Sequence, residues 1–212
     1  ELGNRVSEMV RRTKKITVLE NCLPESAYLL RSHDIESPVT IGWRGSATHQ
    51  EDFAEARHGL SRILERPDTR LKLIGSPPSN SLPTDRIDLI GWIRDIESFY
   101  KELDFDIGVV PLANNVFNDS KSHIAVLEMA ARGIPIVASD MPSYRRFIEH
   151  GVNGFLVKQK HEWAKYMKIL IEDPQMRIDM GKEAFVTALK FKIGGQVTDG
   201  YREVYDSVGG AR

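Results

Sequence analysis

The sequence has few of the residues that usually announce a specific chemistry. Cys22 is the single cysteine among 212 residues, which excludes an internal disulfide framework and a cysteine-rich metal site. That usage suits a reducing compartment, so a cytoplasmic setting is expected. No apolar run approaches the roughly 18–20 residues that a membrane-spanning helix needs. Neither sign of charge dominates: 29 Lys+Arg stand against 30 Asp+Glu, for a net charge of -1. A nucleic acid or an acidic membrane is therefore not expected as the main partner. The sequence also lacks a P-loop, a nucleophile elbow, a GxGxxG dinucleotide turn and any His/Cys/Asp/Glu group with metal-ligand spacing. No resident metal or cofactor is expected. The N-terminus, Glu1-Leu2-Gly3-Asn4, carries neither a signal-peptide pattern nor an initiator Met, and reads as the start of a fragment cut from a longer protein.

What remains is an ordinary globular composition, 41% hydrophobic and 28% charged, enough to bury a core. Residues 5–13 place Val6, Met9, Val10 and Thr13 at helical spacing between arginines. They read as the end of a helix from a preceding domain, the alternative being a short basic helix in peripheral contact with a membrane. Ile16–Leu19 reads as a short strand, and residues 24–38, bounded by prolines, as a linker. From Pro38 the pattern becomes regular. Strands are expected at 39–43, 70–74, 87–91, 105–110, 134–138 and 155–157. Between them run helices from a Thr48/Glu51 capping box to Glu65, over 94–102, over about 120–132, and from an Asp140 cap with Pro142 in its first turn to about Glu149. Helices at 161–172, from Asp173-Pro174 to about Phe191, and over 196–208 complete the chain. This alternation predicts an α/β fold: a Rossmann-like doubly wound parallel sheet of about six strands, with helices on both faces and a C-terminal helical tail. Ligands of such sheets lie outside the carboxyl ends of the strands. Four loops are expected there: Arg44–His49, Gly75–Ser79, Pro111–Ser122 and Ser139–Tyr144.

The organising stretch is Phe117–Ser139: a polar loop, a helix carrying Glu128 in an apolar run, and a buried strand after Gly133 and Pro135. Lys121, flanked by Ser120 and Ser122, sits at the expected helix start. It reads as an ordinary solvated lysine or as a phosphate ligand, and the second is favoured because a lysine is disfavoured there unless an anion is present. Glu128 lies where burial is expected and needs donors; two ribose hydroxyls meet that need, and so does a salt bridge to Arg132. Gly45 and Ser46 form either a backbone cradle for phosphate or a plain tight turn. Arg44 reads as a phosphate fork or a solvated arginine, and His49 as a phosphate or sugar contact or a capping residue. His123, His150 and His161 read as surface residues.

These segments resemble the donor half of GT-B-fold, group 1 type glycosyltransferases. The resemblance is carried by Glu128, Ala131-Arg132-Gly133-Ile134-Pro135, Ile136-Val137-Ala138-Ser139, Asp106–Leu112, Ile148–Val157, the turn Ile41–His49 and Val18-Leu19-Glu20-Asn21. It implies a nucleotide-diphosphate sugar as substrate, transferred without a metal to an acceptor held by a missing N-terminal domain. By the same resemblance residues 1–37 end a preceding domain and linker, 38–193 form the nucleotide-sugar-binding domain, and 194–212 form a crossing helix and tail. It implies Glu128 on the ribose and Arg44, Gly45, Ser46, Lys121 and Ser122 on the diphosphate, with His49, Asp119 and Ser120 at the sugar or phosphate. The family often has an acidic residue eight positions before the ribose glutamate; here that position is Ser120. Two other readings share the fold: half of a nucleotide-sugar 2-epimerase, and a non-catalytic interaction module.

Overall fold

The computed structural model describes residues 17–32, 38–76, 82, 85–194 and 196–209. The expected helix over residues 5–13 lies outside them, as do Ile16 and the loop residues 77–79. Six strands form one sheet: β1 (Val39–Gly45), β2 (Thr69–Gly75), β3 (Ile87–Ile90), β4 (Ile107–Val110), β5 (Ile136–Ser139) and β6 (Gly154–Val157), in the order β3-β2-β1-β4-β5-β6. Every pairing is parallel. The helices are α1 (Gln50–Ile63), α2 (Ile96–Glu102), α3 (Ile124–Ala130), α4 (Pro142–Arg145), α5 (Glu162–Glu172), α6 (Pro174–Ala188) and α7 (Gln196–Gly209). The expected Rossmann-like α/β sheet and its C-terminal helix are present. Among the described residues no helix is long and apolar enough to cross a membrane.

Period-two alternation sends side chains to two cores. Ile41, Trp43, Leu71, Ile107, Val109, Val137 and Phe155 face α1 and α5, where Phe53, Leu60, Trp163 and Leu170 close the first core. Val110, Ile136, Ala138 and Leu156 face the other way, against α2, α3 and α6. Both faces are covered, which is why β4 and β5 are buried at every position and read in the sequence as near-continuous apolar runs.

Two glycines make room on the second face of the sheet, Gly42 for the Phe105 ring and Gly108 for Met129 of α3. Gly42 and Gly108 are register partners on the second face. A Cβ on Gly42 lies 1.8 Å from the Phe105 ring, and one on Gly108 lies 2.5 Å from Met129 Sδ. Without side chains there, the Met129 turn of α3 sits directly on β4, and the adjacent Glu128 is held at the carboxyl end of the sheet.

Several local expectations are corrected by longer-range contacts. α1 has no Thr48 capping box: His49 stands at its N-cap without capping the helix backbone, and the Thr48 hydroxyl lies 2.7 Å from that of Ser46. Asp140 does not cap α4, whose N-cap is Met141; its carboxylate instead accepts from Arg145. Residues 17–19 form no strand, and Val18 and Leu19 are exposed. Within the stretch read as a linker, Ala27 joins the second core, as does Leu23 just before it, and the Tyr28 hydroxyl donates to Ala188 O at 2.9 Å. His123 is not a surface residue: it is buried against the rings of Phe147 and Phe191. The Asp173-Pro174 start of α6 is as expected, with the aspartate accepting from Met176 N at 2.8 Å.

Candidate functional site

Since every strand runs the same way, the turn after β1, the end of β2 and the loops after β4 and β5 gather at one edge. A cleft of about 290 Å³ opens there, beside the point where the strand order reverses. Arg44, Gly45, Ser46 and His49 form one wall, and Ile74 and Gly75 the floor. Trp92, Ile93, Arg94, Ile96 and Phe99 form the opposite wall, and Glu128 reaches in from α3.

The turn after β1 is tight for a stated reason. Gly75 has φ +100°, and a Cβ on it would lie 2.2 Å from Gly45 O; Ser76 N donates to that same oxygen at 2.9 Å. Only glycine tolerates both the backbone conformation and the approach. The ends of β1 and β2 are thereby locked together, with the Gly45-Ser46 backbone facing the cleft.

Glu128 is buried, and its partner is Arg44 rather than Arg132. Arg44 Nη2 donates to Glu128 Oε2 across 84 residues of sequence, whereas Arg132 Nε donates to Leu103 O. Burial pushes the Glu128 carboxyl up from its ordinary range, and the Arg44 guanidinium opposes that. Arg44 is thus neither solvated nor wholly available to a ligand: one of its N–H groups holds the carboxylate in place.

The second assembly is centred on Asp52, which the sequence reading passed over. Asp52 is 4% exposed. Its Oδ2 meets His49 Nδ1 at 2.7 Å and Lys121 Nζ at 3.1 Å. Its Oδ1 accepts from Asn118 Nδ2 at 2.6 Å and Ala113 N at 2.8 Å. Burial raises the carboxyl, but the hydrogen bonds from Ala113, His49, Lys121 and Asn118 outweigh it and hold Asp52 below its ordinary range. Lys121 Nζ lies 3.5 Å from His49 Nδ1 and 5.2 Å from the Phe117 ring centre. The structure therefore brings Lys121 next to His49, and His49 to the rim of the cleft holding Arg44 and Glu128.

Lys121 does not start the helix. Asn118–Ser120 form a 3₁₀ turn, Lys121 is extended, and α3 begins only at Ile124. The bonds from Asn118 and Lys121 to Asp52 fix this loop in a shape the local sequence does not specify. Ser122 is exposed. Asp119 goes elsewhere: it lines a separate cleft with Asn114, Asp140, Arg145 and Lys158. Asp52 did leave a signal in the sequence. It shares a helical stripe with Ala56, Gly59, Leu60 and Ile63, all buried, and a carboxylate on an apolar stripe needs polar partners. Trp92 and Ile93 carried no comparable signal, because their place depends on the course of the chain after β3.

A family model described as "Glycosyl transferases group 1" matches residues 38–173. A D-inositol 3-phosphate glycosyltransferase of Pseudarthrobacter chlorophenolicus is 35% identical over 170 residues, covering 78% of this chain and 34% of that protein. The chain thus spans about a third of the length of this curated relative. Among solved structures, Staphylococcus aureus TarM in complex with fondaparinux, alpha-GlcNAc-glycerol and UDP superposes with a TM-score of 0.76 at 13% identity, over 96% of this chain and 42% of that one. Anabaena HepE in complex with UDP and glucose gives 0.70 at 16% identity, over 91% and 56%. The two solved structures show a shared GT-B fold, and the family match, which covers more than half of the sequence, shows that the chain belongs to the group 1 glycosyltransferases.

Proposed function

We propose that this chain binds the nucleotide-diphosphate sugar of a glycosyltransferase whose acceptor is held by a further N-terminal domain. The observation that carries the reading is the pairing of a buried carboxylate with convergent cations at one sheet edge. Glu128, kept in place by Arg44, offers its remaining carboxylate oxygen to ribose hydroxyls. Lys121 and His49, gathered on Asp52, offer positive charge and N–H groups to a diphosphate beside the Gly45-Ser46 backbone. The apolar wall of Trp92, Ile93 and Phe99 suits the face of a base. The UDP in the TarM and HepE structures makes a uridine nucleotide the first candidate.

Transfer in this reading needs no metal. As the bond from sugar to diphosphate breaks, negative charge grows on the leaving phosphate, and fixed N–H groups and Lys121 stabilise it more in the transition state than in the ground state. Ser120 and Ser122 lie on the same loop and are the nearest candidates for contact with the sugar or its phosphate. Asp119 lines the neighbouring cleft. A thermal-shift series tests the reading: nucleoside diphosphates and nucleotide sugars should raise the melting temperature, uridine compounds most. A flat response to every nucleotide at millimolar concentration refutes it.

A further inference from the structure

We infer that Asp52 is the positioning residue of the diphosphate site, holding His49 with Nδ1 protonated so that its Nε2 is the nitrogen presented to the ligand. This deepens the proposed donor reading and rests on it. Asp52 touches nothing in the cleft; it acts through His49 and Lys121.

The tautomer follows from counting donors. Both oxygens of Asp52 are occupied: Oδ1 accepts from Asn118 Nδ2 at 2.6 Å and Ala113 N at 2.8 Å, and Oδ2 meets Lys121 Nζ at 3.1 Å and His49 Nδ1 at 2.7 Å. Asn118, Ala113 and Lys121 can only donate in these contacts, so the carboxylate accepts three hydrogen bonds before His49 is considered. An ionised carboxylate has no proton to give. The short contact with His49 is therefore an N–H donation from Nδ1; Lys121, the other neighbour of Nδ1, lies at 3.5 Å, too far to hold that nitrogen as an acceptor against the carboxylate at 2.7 Å. The Nε2 side of the ring, which is part of a residue lining the cleft, is then free to receive a proton and bind a phosphate oxygen. A side chain placed by its second nitrogen in this way has one orientation and one tautomer.

The same carboxylate sets the spacing of the two cationic groups. His49 comes from the start of α1 and Lys121 from the loop after β4, 72 residues later. Among the described residues the two side chains are joined through this carboxylate, apart from their own 3.5 Å approach, which is repulsive if both are charged. A shared anion between them removes that repulsion. Asn118 and Ala113 anchor the carboxylate in turn, so it cannot rotate away from either partner. A purely structural role for Asp52 predicts only loss of stability on substitution. The positioning role predicts in addition a change in the tautomer of His49 and a selective loss of phosphate affinity.

The direct test uses the wild-type chain. Two-dimensional ¹⁵N–¹H correlation spectra of the histidine rings should show His49 with its proton on Nδ1, assigned by comparison with His49→Gln. A neutral His49 protonated on Nε2 overturns the inference with no variant needed. Asp52→Asn adds the functional arm. Its amide retains an oxygen for Ala113 N and Asn118 but can turn an N–H toward His49, so His49 should move to the Nε2–H form. Affinity for UDP, read by calorimetry, should fall about tenfold or more as the charge-assisted arrangement is lost. Affinity for uridine, read by chemical-shift titration, should be unchanged, because Glu128 and Arg44 are untouched. Equal loss for UDP and uridine, or no loss for UDP, overturns the positioning role. Absence of UDP binding by the wild-type chain, with the Nδ1–H form of His49 observed, refutes the donor reading while leaving the Asp52–His49 arrangement standing.

Discussion

Replacing Arg44 by Met separates the electrostatic part of the cleft from its packing. The aliphatic stem is kept, and the hydrogen bond from Arg44 to the buried Glu128 carboxylate is removed. Removing one partner of a buried pair typically costs about 3–5 kcal/mol, because the other charge is left uncompensated. The side chains of Arg44 and Glu128 are 20% and 11% exposed, so water screens part of the pair and about 2–3 kcal/mol at neutral pH is the reasoned figure. The pH dependence gives the sharper test. Burial already raises the Glu128 carboxyl and Arg44 opposes it; without Arg44 it rises further. A carboxyl raised in the folded state binds more protons there than in the unfolded chain, so stability falls as pH rises through this window and recovers as pH falls. The difference between wild type and Arg44→Met should therefore shrink from about 2–3 kcal/mol near pH 7.5 to about 1 kcal/mol near pH 5. Urea unfolding of both proteins at the two pH values measures it, since groups common to both cancel. Adding Glu128→Gln to Arg44→Met should restore stability at neutral pH, because a neutral amide is cheaper to bury than an unpaired charge. A loss of the same size at both pH values, or a further loss on adding Glu128→Gln, refutes the account of the pair.

Two other perturbations probe the edge of the sheet. Gly75→Ala should destabilise the fold by about 2–3 kcal/mol, since it places a side chain at φ +100° against Gly45 O and combines backbone strain with a clash; thermal denaturation reads the loss, and an unchanged midpoint contradicts the locked turn. Lys121→Ala should leave stability nearly intact, because Asp52 keeps its bonds from Ala113, Asn118 and His49, while UDP affinity falls roughly ten- to a hundred-fold through loss of a charged hydrogen-bond donor. Equal binding of UDP by that variant and the wild type places the diphosphate elsewhere.

The strands of this protein are legible in its sequence for a physical reason. β4 and β5 are covered on both faces, so their residues are apolar or, like Ser139, a small polar residue with its hydroxyl bonded to the Leu112 backbone, and turn residues bound them. Asp173-Pro174 is equally local: a cap and a first-turn proline act on the helix they start. What was not legible depends on partners far along the chain. The sequence places the start of α3 too early because Ser120 and Lys121 look locally like the entry to a helix, whereas Asp52, 66 residues from Asn118 and 69 from Lys121, draws this loop into a 3₁₀ turn and an extended segment. Glu128 reads in the sequence as needing donors, with Arg132 at i+4 as the local candidate, whereas its partner Arg44 comes from β1, 84 residues away. His123 reads as polar and becomes buried because Phe147 and Phe191 close over it. Asp119 and Ser120 are neighbours in sequence, yet the turn sends Asp119 to a different cleft. Long-range carboxylate pairing, then, is the feature of this site that a single sequence conceals.

The central claim is that the cleft bounded by Arg44, Gly45, His49 and Glu128 holds a nucleoside diphosphate. Calorimetric titration of UDP into the wild-type chain, repeated with Glu128→Ala, tests it most directly. The account predicts saturable binding at one site, weakened in the variant. No detectable binding by the wild-type chain at millimolar UDP, or binding that Glu128→Ala leaves unchanged, contradicts it.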